Sequence, residues 1–314
     1  MRIAALFPGQ GSQAVGMAQA FYESSEAARA VLDRAEDALP GLLSVMFEGP
    51  QEVLTRTANQ QPALVAAGAA AFAAWQEADG PMPVVAAGHS LGEFTAHVAA
   101  GSLEVAEAVR LVRARGTYMQ EAVPEGEGAM AAILKLDAAQ VEAICAEVPG
   151  LVELANLNAP GQIVVSGEAA AVAAAARAAK AQGGRAVPLR VSAPFHSSLM
   201  QPAARRLAED LAAVRVRPPA FAVIANVTAE VVASEAEIPE LLVRQVTAPV
   251  RWEACVQAMH ARGVDRFVEF GSGSVLCGLV RRTVPNADAR AASDPGGLQN
   301  ALAEGGTQRE EGTP

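Results

Sequence analysis

Aromatic side chains are scarce in this 314-residue chain: 4% of the total, with two tryptophans and two tyrosines. Alanine fills the sequence instead, so its helices are expected to be slim and closely packed. Cysteine is rarer still. Cys145, Cys255 and Cys277 are far apart, without C-x-x-C or metal-ligand spacing. That excludes a disulfide framework, points to a reducing compartment and predicts no metal site. Basic charge is in deficit, with 24 Lys and Arg against 34 Asp and Glu and a formal net charge of −10. A chain so acidic is not built for general nucleic-acid binding and has no basic run for a membrane surface. The longest low-polarity stretch, Pro62 to Trp75, is too short to span a bilayer. The N-terminal Met1 to Phe7 is too short for a signal peptide. Hydrophobic residues still make up 51%, enough for a large core. The expectation is a soluble cytoplasmic protein.

Against this background one pentapeptide stands out, Gly88-His89-Ser90-Leu91-Gly92. It fits G-x-S-x-G. The apolar run Val84 to Ala87 before it reads as a buried strand, and Glu93 onward reads as a helix. A serine at a sharp strand-to-helix turn is pushed out at the sheet edge, and glycines on both sides permit the turn. The helix N-terminus beneath offers unpaired N–H groups to a developing oxyanion.

Strands alternating with helices predict an α/β fold with a mostly parallel sheet. Strands are expected at Ile3 to Phe7, Val84 to Ala87, Phe221 to Ala225 and Arg266 to Phe270. Helices are expected at Ala14 to Ala38, Leu42 to Glu48, Gln61 to Glu77, Leu103 to Ala122, Ser198 to Val214, Pro239 to Gln245 and Val250 to Arg262. After Gly296 only a short helical pattern is visible. Between these parts the texture changes. Met130 to Leu136 reads as a strand and Asp137 to Glu147 as a helix capped by Asp137. Leu151 to Asn156 and Gln162 to Ser166 read as strands joined by the turn Asn158-Ala159-Pro160-Gly161. Glu168 to Gln182 reads as a helix and Ala186 to Val191 as a last strand. The order β-α-β-β-α-β is ferredoxin-like. Residues 128–192 are therefore expected as a small domain inserted into a large one formed by 1–127 and 193–295. Residues 305–314 are polar and expected to be disordered.

A nucleophilic serine needs a base, and the chain has four histidines: His89, His97, His196 and His260. The backbone of His89 is committed to the turn. His97 lies along the helix after Ser90 and points away from it. His260 is near the exposed end of a late helix. By elimination the base is His196, on the loop Ser192 to Ser197. No acidic residue stands out to orient it. Gly9-Gln10-Gly11-Ser12-Gln13-Ala14 formally fits the dinucleotide fingerprint G-x-G-x-x-A. That reading needs an acidic residue at the end of a second strand about 20 residues on, where the pattern here is helical. The better reading is a glycine loop whose N–H near Gln10 faces the serine, forming an oxyanion hole with the N–H of Leu91. Arg115 falls in the apolar stripe Val105, Ala108, Val112, Met119 of its helix. It is half of an internal salt bridge, an arginine that snorkels out to solvent, or a fork for a substrate carboxylate.

Phe7-Pro8-Gly9-Gln10-Gly11-Ser12-Gln13, Gly88 to Glu93, Arg115-Gly116, Asn156 to Gln162 and Pro194-Phe195-His196, in that order, resemble malonyl-CoA:acyl carrier protein transacylases. The resemblance extends from residue 1 to about 285. It implies an α/β-hydrolase-like large domain with an inserted ferredoxin-like small domain. It implies malonyl-CoA and acyl carrier protein as partners, a monomer, and no cofactor. Ser90 would carry the malonyl ester and His196 would be its base. The amides of Gln10 and Leu91 would form the oxyanion hole, and Arg115 would clamp the free carboxylate. His89 and Phe195 would border the substrate, Phe195 crowding a methyl branch. Gln245 would be the glutamine beside the histidine, which in the family is oriented by a main-chain carbonyl. Asn158 is a weaker match. The late turn Gly271-Ser272-Gly273-Ser274 departs from the family's Gly-Pro-Gly-Lys. An acidic carrier would need a local basic surface near the cleft, for which Arg177, Lys180, Arg185 and Arg190 on the small domain are candidates. The competing readings are a serine hydrolase such as a thioesterase, which the same elbow would serve, and a dinucleotide-binding module.

Overall fold

The computed structural model describes residues 1–189, 191 and 193–303. Arg190 and the polar tail 305–314 lie outside the described residues. The chain begins with β1 (Ile3–Phe7), followed by helices α1 (Gln19–Ser24), α2 (Glu26–Ala38), α3 (Leu42–Phe47), α4 (Gln51–Thr55) and α5 (Thr57–Glu77). Then come β2 (Val85–Gly88), α6 (Gly92–Ala99) and α7 (Val105–Glu121). The next block is β3 (Gly128–Leu134), α8 (Ala138–Glu147), β4 (Val152–Ala159), β5 (Gln162–Glu168), α9 (Ala169–Ala181) and β6 (Arg185–Pro188). The chain continues through α10 (Gln201–Ala212), β7 (Ala222–Ile224), α11 (Ile238–Thr247), α12 (Trp252–Ala261) and β8 (Arg266–Phe270). It closes with α13 (Val275–Thr283), β9 (Asp288–Ala292) and α14 (Pro295–Leu302).

Strands β7-β2-β1-β8-β9 form a parallel sheet in that order. Its central strand β1 is buried at every position, as expected of a strand covered on both faces. Strands β4-β5-β3-β6 form a second, antiparallel sheet. With α8 and α9 it has the ferredoxin-like order. The antiparallel sheet is tied to the segment just before α12 at Asn156, which bridges Val250, with Leu157 N–H donating to Val250 O at 2.9 Å. Asp137 caps α8 in a reciprocal capping box with Gln140.

Several elements differ from the sequence expectation for local reasons. The helix expected over Ala14 to Ala38 is two helices. Ser25 is extended, and its side chain accepts the Ala28 N–H as the N-cap of α2. Helix α5 starts four residues before Gln61 and carries Pro62 inside it. A proline there removes the N–H that the carbonyl of Ala58 would use. Arg113 fills the gap, its Nη1 donating to Ala58 O at 3.0 Å. β4 runs on to Ala159 through register shifts after Leu154 and Leu157. Asn158 is therefore in a strand, and the turn narrows to Pro160-Gly161. Helix α13 and strand β9 were not legible: the helix has Gly278 at its middle, and the strand alternates charge with alanine. The charges of β9 are used. Asp288 pairs with the buried Arg266 at 2.8 Å and with Arg290 at 2.8 Å. No helix among the described residues is long and apolar enough to cross a membrane.

Candidate active site

The register Phe7↔Gly88 brings the C-terminal ends of β1 and β2 side by side. A Cβ on Gly88 would lie 1.8 Å from Gly92 O, and one on Gly92 would lie 2.1 Å from Phe7 O. Only glycine fits either place, so the chain can fold back tightly and lift Ser90 out of the sheet. Ser90 itself is in the left-handed region, with φ 52°. Such strain in a residue other than glycine persists only where the surroundings enforce it. The enforcement is visible. Asn226, just beyond β7, accepts the Ser90 N–H at 2.8 Å and donates to Gly88 O at 2.8 Å.

His196 reaches the serine from the loop before α10. Its Nε2 lies 2.8 Å from Ser90 Oγ, and its Nδ1 lies 2.8 Å from the main-chain oxygen of Gln245. A carbonyl only accepts, so Nδ1 carries the proton and Nε2 is free to accept from the serine hydroxyl. Burial, and then the charge of Arg115, push His196 down to about 3. The imidazole is therefore neutral at neutral pH, as a base must be.

Arg115 projects from α7 with 1% of its surface exposed. Nη1 donates to Gln61 Oε1 at 2.8 Å, and Nη2 to Gln245 Oε1 at 3.0 Å and Ser90 Oγ at 3.1 Å. Burial lowers its pKa to about 10, opposed by Glu93, so it stays cationic. Among the described residues it makes no salt bridge, and its Nε has no partner. Of the alternatives left open by spacing, the internal ion pair within contact distance is not what forms. A guanidinium faces the nucleophile instead.

These groups open into a cleft of about 950 Å³ lined also by Gln10, His89, Met119, Met130 and Phe195. Leu91 is the N-cap of α6, and no hydrogen bond to the amide of Leu91 or Gln10 occurs among the described residues. His89 contacts Asn158 Oδ1 through Nε2 at 2.8 Å, and its ring lies 5.5 Å from Trp252. Burial lowers its pKa, opposed by the Asn158 contact. His97 is fully buried with neither ring nitrogen partnered, and His260 is exposed. The glycine turn after β8 abuts the loop after β1, with Ser272 Oγ donating to Ser12 O at 2.6 Å. Arg177, Lys180 and Arg185 are exposed on α9 and β6, away from the cleft.

The dinucleotide reading fails on this geometry. Gly9 is required because a Cβ there would sit 2.6 Å from His89 O, a packing demand within the elbow. Helices α1 to α5 follow β1, and the next strand is β2 at Val85, so no second strand can supply the ribose-binding acid. Among the described residues no group of three or more His, Cys, Asp or Glu could hold a metal ion.

The family model described as acyl transferase domain matches residues 5–301. The malonyl CoA-acyl carrier protein transacylase of Bacillus subtilis (strain 168) is 47% identical over 306 residues, covering 96% of both chains. The chain belongs to this transacylase family. The Escherichia coli (strain K12) transacylase is 43% identical over 305 residues, covering 96% of this chain and 99% of that one. Solved transacylase structures superpose closely. The acyl-carrier-protein S-malonyltransferase of Burkholderia pseudomallei 1710b has a TM-score of 0.93 at 47% identity, covering 96% and 99% of the two chains. A malonyl-transacylase in complex with its type II PKS acyl-carrier protein has the same TM-score at 42% identity and the same coverage. The fold is thus the α/β-hydrolase-like domain with a ferredoxin-like insertion.

Sequence reasoning missed part of this transacylase's site. It found no acid near the base, yet Glu93 is fully buried beside the nucleophile. Asn226 and Gln61 were not singled out either. Glu93 gave no decisive signal, because a carboxylate in a first helical turn is ordinarily solvated. Asn226 had none, because its partners lie more than a hundred residues away in sequence.

Proposed function

We propose that this transferase moves a malonyl group from coenzyme A to the phosphopantetheine thiol of an acyl carrier protein, through an ester on Ser90. One observation carries the reading: a buried guanidinium with no carboxylate in contact, 3.1 Å from a serine oxygen that is itself 2.8 Å from a neutral imidazole. A plain thioesterase or lipase has no use for a cation there. An acyl group ending in a carboxylate does.

Malonyl-CoA enters with its carboxylate on Arg115. Ser90 Oγ attacks the thioester carbonyl as its proton passes to His196 Nε2. The oxyanion falls to the amides of Gln10 and Leu91, where one donor is worth about 3–4 kcal/mol. The C–S bond breaks, and the coenzyme A thiolate takes the proton from His196. The carrier thiol then gives its proton to His196, attacks the ester, and Ser90 leaves reprotonated. The dyad needs no metal or cofactor. The Gln245 carbonyl holds the imidazole in the tautomer both steps require. Arg115 also tunes the base. A seated carboxylate neutralises the charge that holds His196 down, so the base strengthens when the matching acyl group arrives.

Phe195 borders the acyl pocket and favours malonyl over methylmalonyl. The exposed Arg177, Lys180 and Arg185 do not line the cleft, so their part is to steer an acidic carrier toward the small domain, and salt should then slow transfer. The protein acts as a cytoplasmic monomer without nucleic acid. The test is transfer from radiolabelled malonyl-CoA to holo carrier protein. Transfer faster than release of free malonate supports the reading, and hydrolysis faster than transfer favours a thioesterase.

A further inference from the structure

The acid missing from the dyad is present one helical position past the elbow, where the mechanism above does not use it. Glu93 has no exposed surface, and its Oε2 accepts the Asn226 N–H at 3.0 Å and Gln245 Nε2 at 2.6 Å. Its Oε1 has no partner. Among the described residues no cation contacts it, although Arg115 acts on it through space. Burying a carboxylate this way is costly.

Gln245 shows what the carboxylate is for. Its main-chain oxygen takes the His196 Nδ1 proton. Its side-chain oxygen accepts from Arg115 Nη2 at 3.0 Å, and its side-chain nitrogen donates to Ser90 O at 3.0 Å. A flipped amide would set N–H against N–H at Arg115 and oxygen against oxygen at Ser90. A neutral amide at position 93 could present either an oxygen or an N–H to Gln245 and would add nothing to that preference. In its ionised form Glu93 only accepts, so that form admits one orientation. We propose that Glu93 is a positioning residue for acyl transfer: it locks the Gln245 side chain so that Arg115 and the Ser90 turn are held in register.

Burial raises Glu93 to about 7, opposed by the Asn226 and Gln245 hydrogen bonds and by Arg115. The environment therefore works against the charge while the network works to keep it, which is how a positioning acid differs from a solvated helix-cap acid. The fold alone would be served as well by the isosteric amide.

The inference rests on the acyl-transfer reading, and its test separates the two. Single-turnover acylation by saturating malonyl-CoA is followed by intact mass in wild type, Glu93→Gln, Gln245→Ala and the double variant. Gln245→Ala keeps the main-chain carbonyl that orients His196. Wild type without an adduct would sink the acyl-transfer reading itself. With that adduct present, Glu93→Gln is expected to reach the wild-type final occupancy about 10- to 100-fold more slowly. The half-saturating malonyl-CoA concentration should not rise, because the cation has lost its internal counter-charge. The double variant should be no slower than Gln245→Ala alone. A wild-type rate in Glu93→Gln, or losses that multiply in the double variant, would overturn the proposal. If Glu93→Gln does not fold, Glu93→Asp takes its place in the cycle, because the shorter acid reaches Gln245 less well. The same two outcomes then decide.

Discussion

Replacing Arg115 with alanine separates acyl recognition from acyl chemistry. The guanidinium is 1% exposed and braced by Gln61 and Gln245, so it is organised before substrate arrives. Truncating one partner of a buried, hydrogen-bonded charge pair costs about 2–5 kcal/mol. At about 1.4 kcal/mol per decade that is roughly a 30- to 4,000-fold loss in kcat/KM for malonyl-CoA. Acetyl-CoA carries no carboxylate and should not share the loss. For it the change removes the hydrogen bond that occupies Ser90 Oγ and the charge that depresses His196, so its rate should hold or rise. The assay is single-turnover acylation with each thioester, followed by intact mass, with folding checked by circular dichroism. Equal losses for both thioesters would refute the assignment, because Arg115 would then be supporting the fold or the nucleophile and not the carboxylate.

Other changes probe the frame around the site. His97 is buried without a partner and lowered to about 4 by burial. A histidine held neutral in this way leaves the unfolded chain binding more protons, so stability falls as pH drops below the ordinary histidine value of 6.5. At pH 5 that amounts to about 2 kcal/mol, and in urea unfolding His97→Leu should recover it there relative to pH 7. Gly92→Ala drives a Cβ to within 2.1 Å of Phe7 O, and thermal unfolding should register a loss of about 3 kcal/mol or more. Phe195→Ala should narrow the preference for malonyl-CoA over methylmalonyl-CoA by about 1–3 kcal/mol in competition kinetics; an unchanged ratio would place the selectivity elsewhere in the cleft.

What could be read from the sequence was what neighbouring residues enforce on one another. The elbow is local: glycines at 88 and 92 answer to clashes within four residues of the serine and with the strand beside it. The Arg115 stripe is local too, since helical periodicity alone placed it with Val112 and Met119 on the buried face. So is the Asp137 cap. The losses come from longer range. The helix was expected from Gln61, but α5 starts earlier and runs through Pro62, with Arg113 from another helix taking the carbonyl the proline leaves free. Ser25 caps a helix that periodicity extended across it. The alternation in β9 makes sense only beside Arg266 of β8. Gln245 entered through resemblance alone, and its side-chain role depends on Arg115, Ser90 and Glu93, which come from different parts of the chain. Glu93 was overlooked because a glutamate in a first helical turn is ordinarily a solvated, dipole-stabilising residue. Only packing shows that this one is enclosed.

The most direct test is the intact mass of the protein after brief mixing with malonyl-CoA and no carrier. Wild type should gain the mass of one malonyl group, localised by peptide mapping to Ser90 and discharged on addition of holo carrier protein, while Ser90→Ala should gain nothing. An adduct that survives in Ser90→Ala, or transfer to the carrier without any adduct in wild type, would contradict the account.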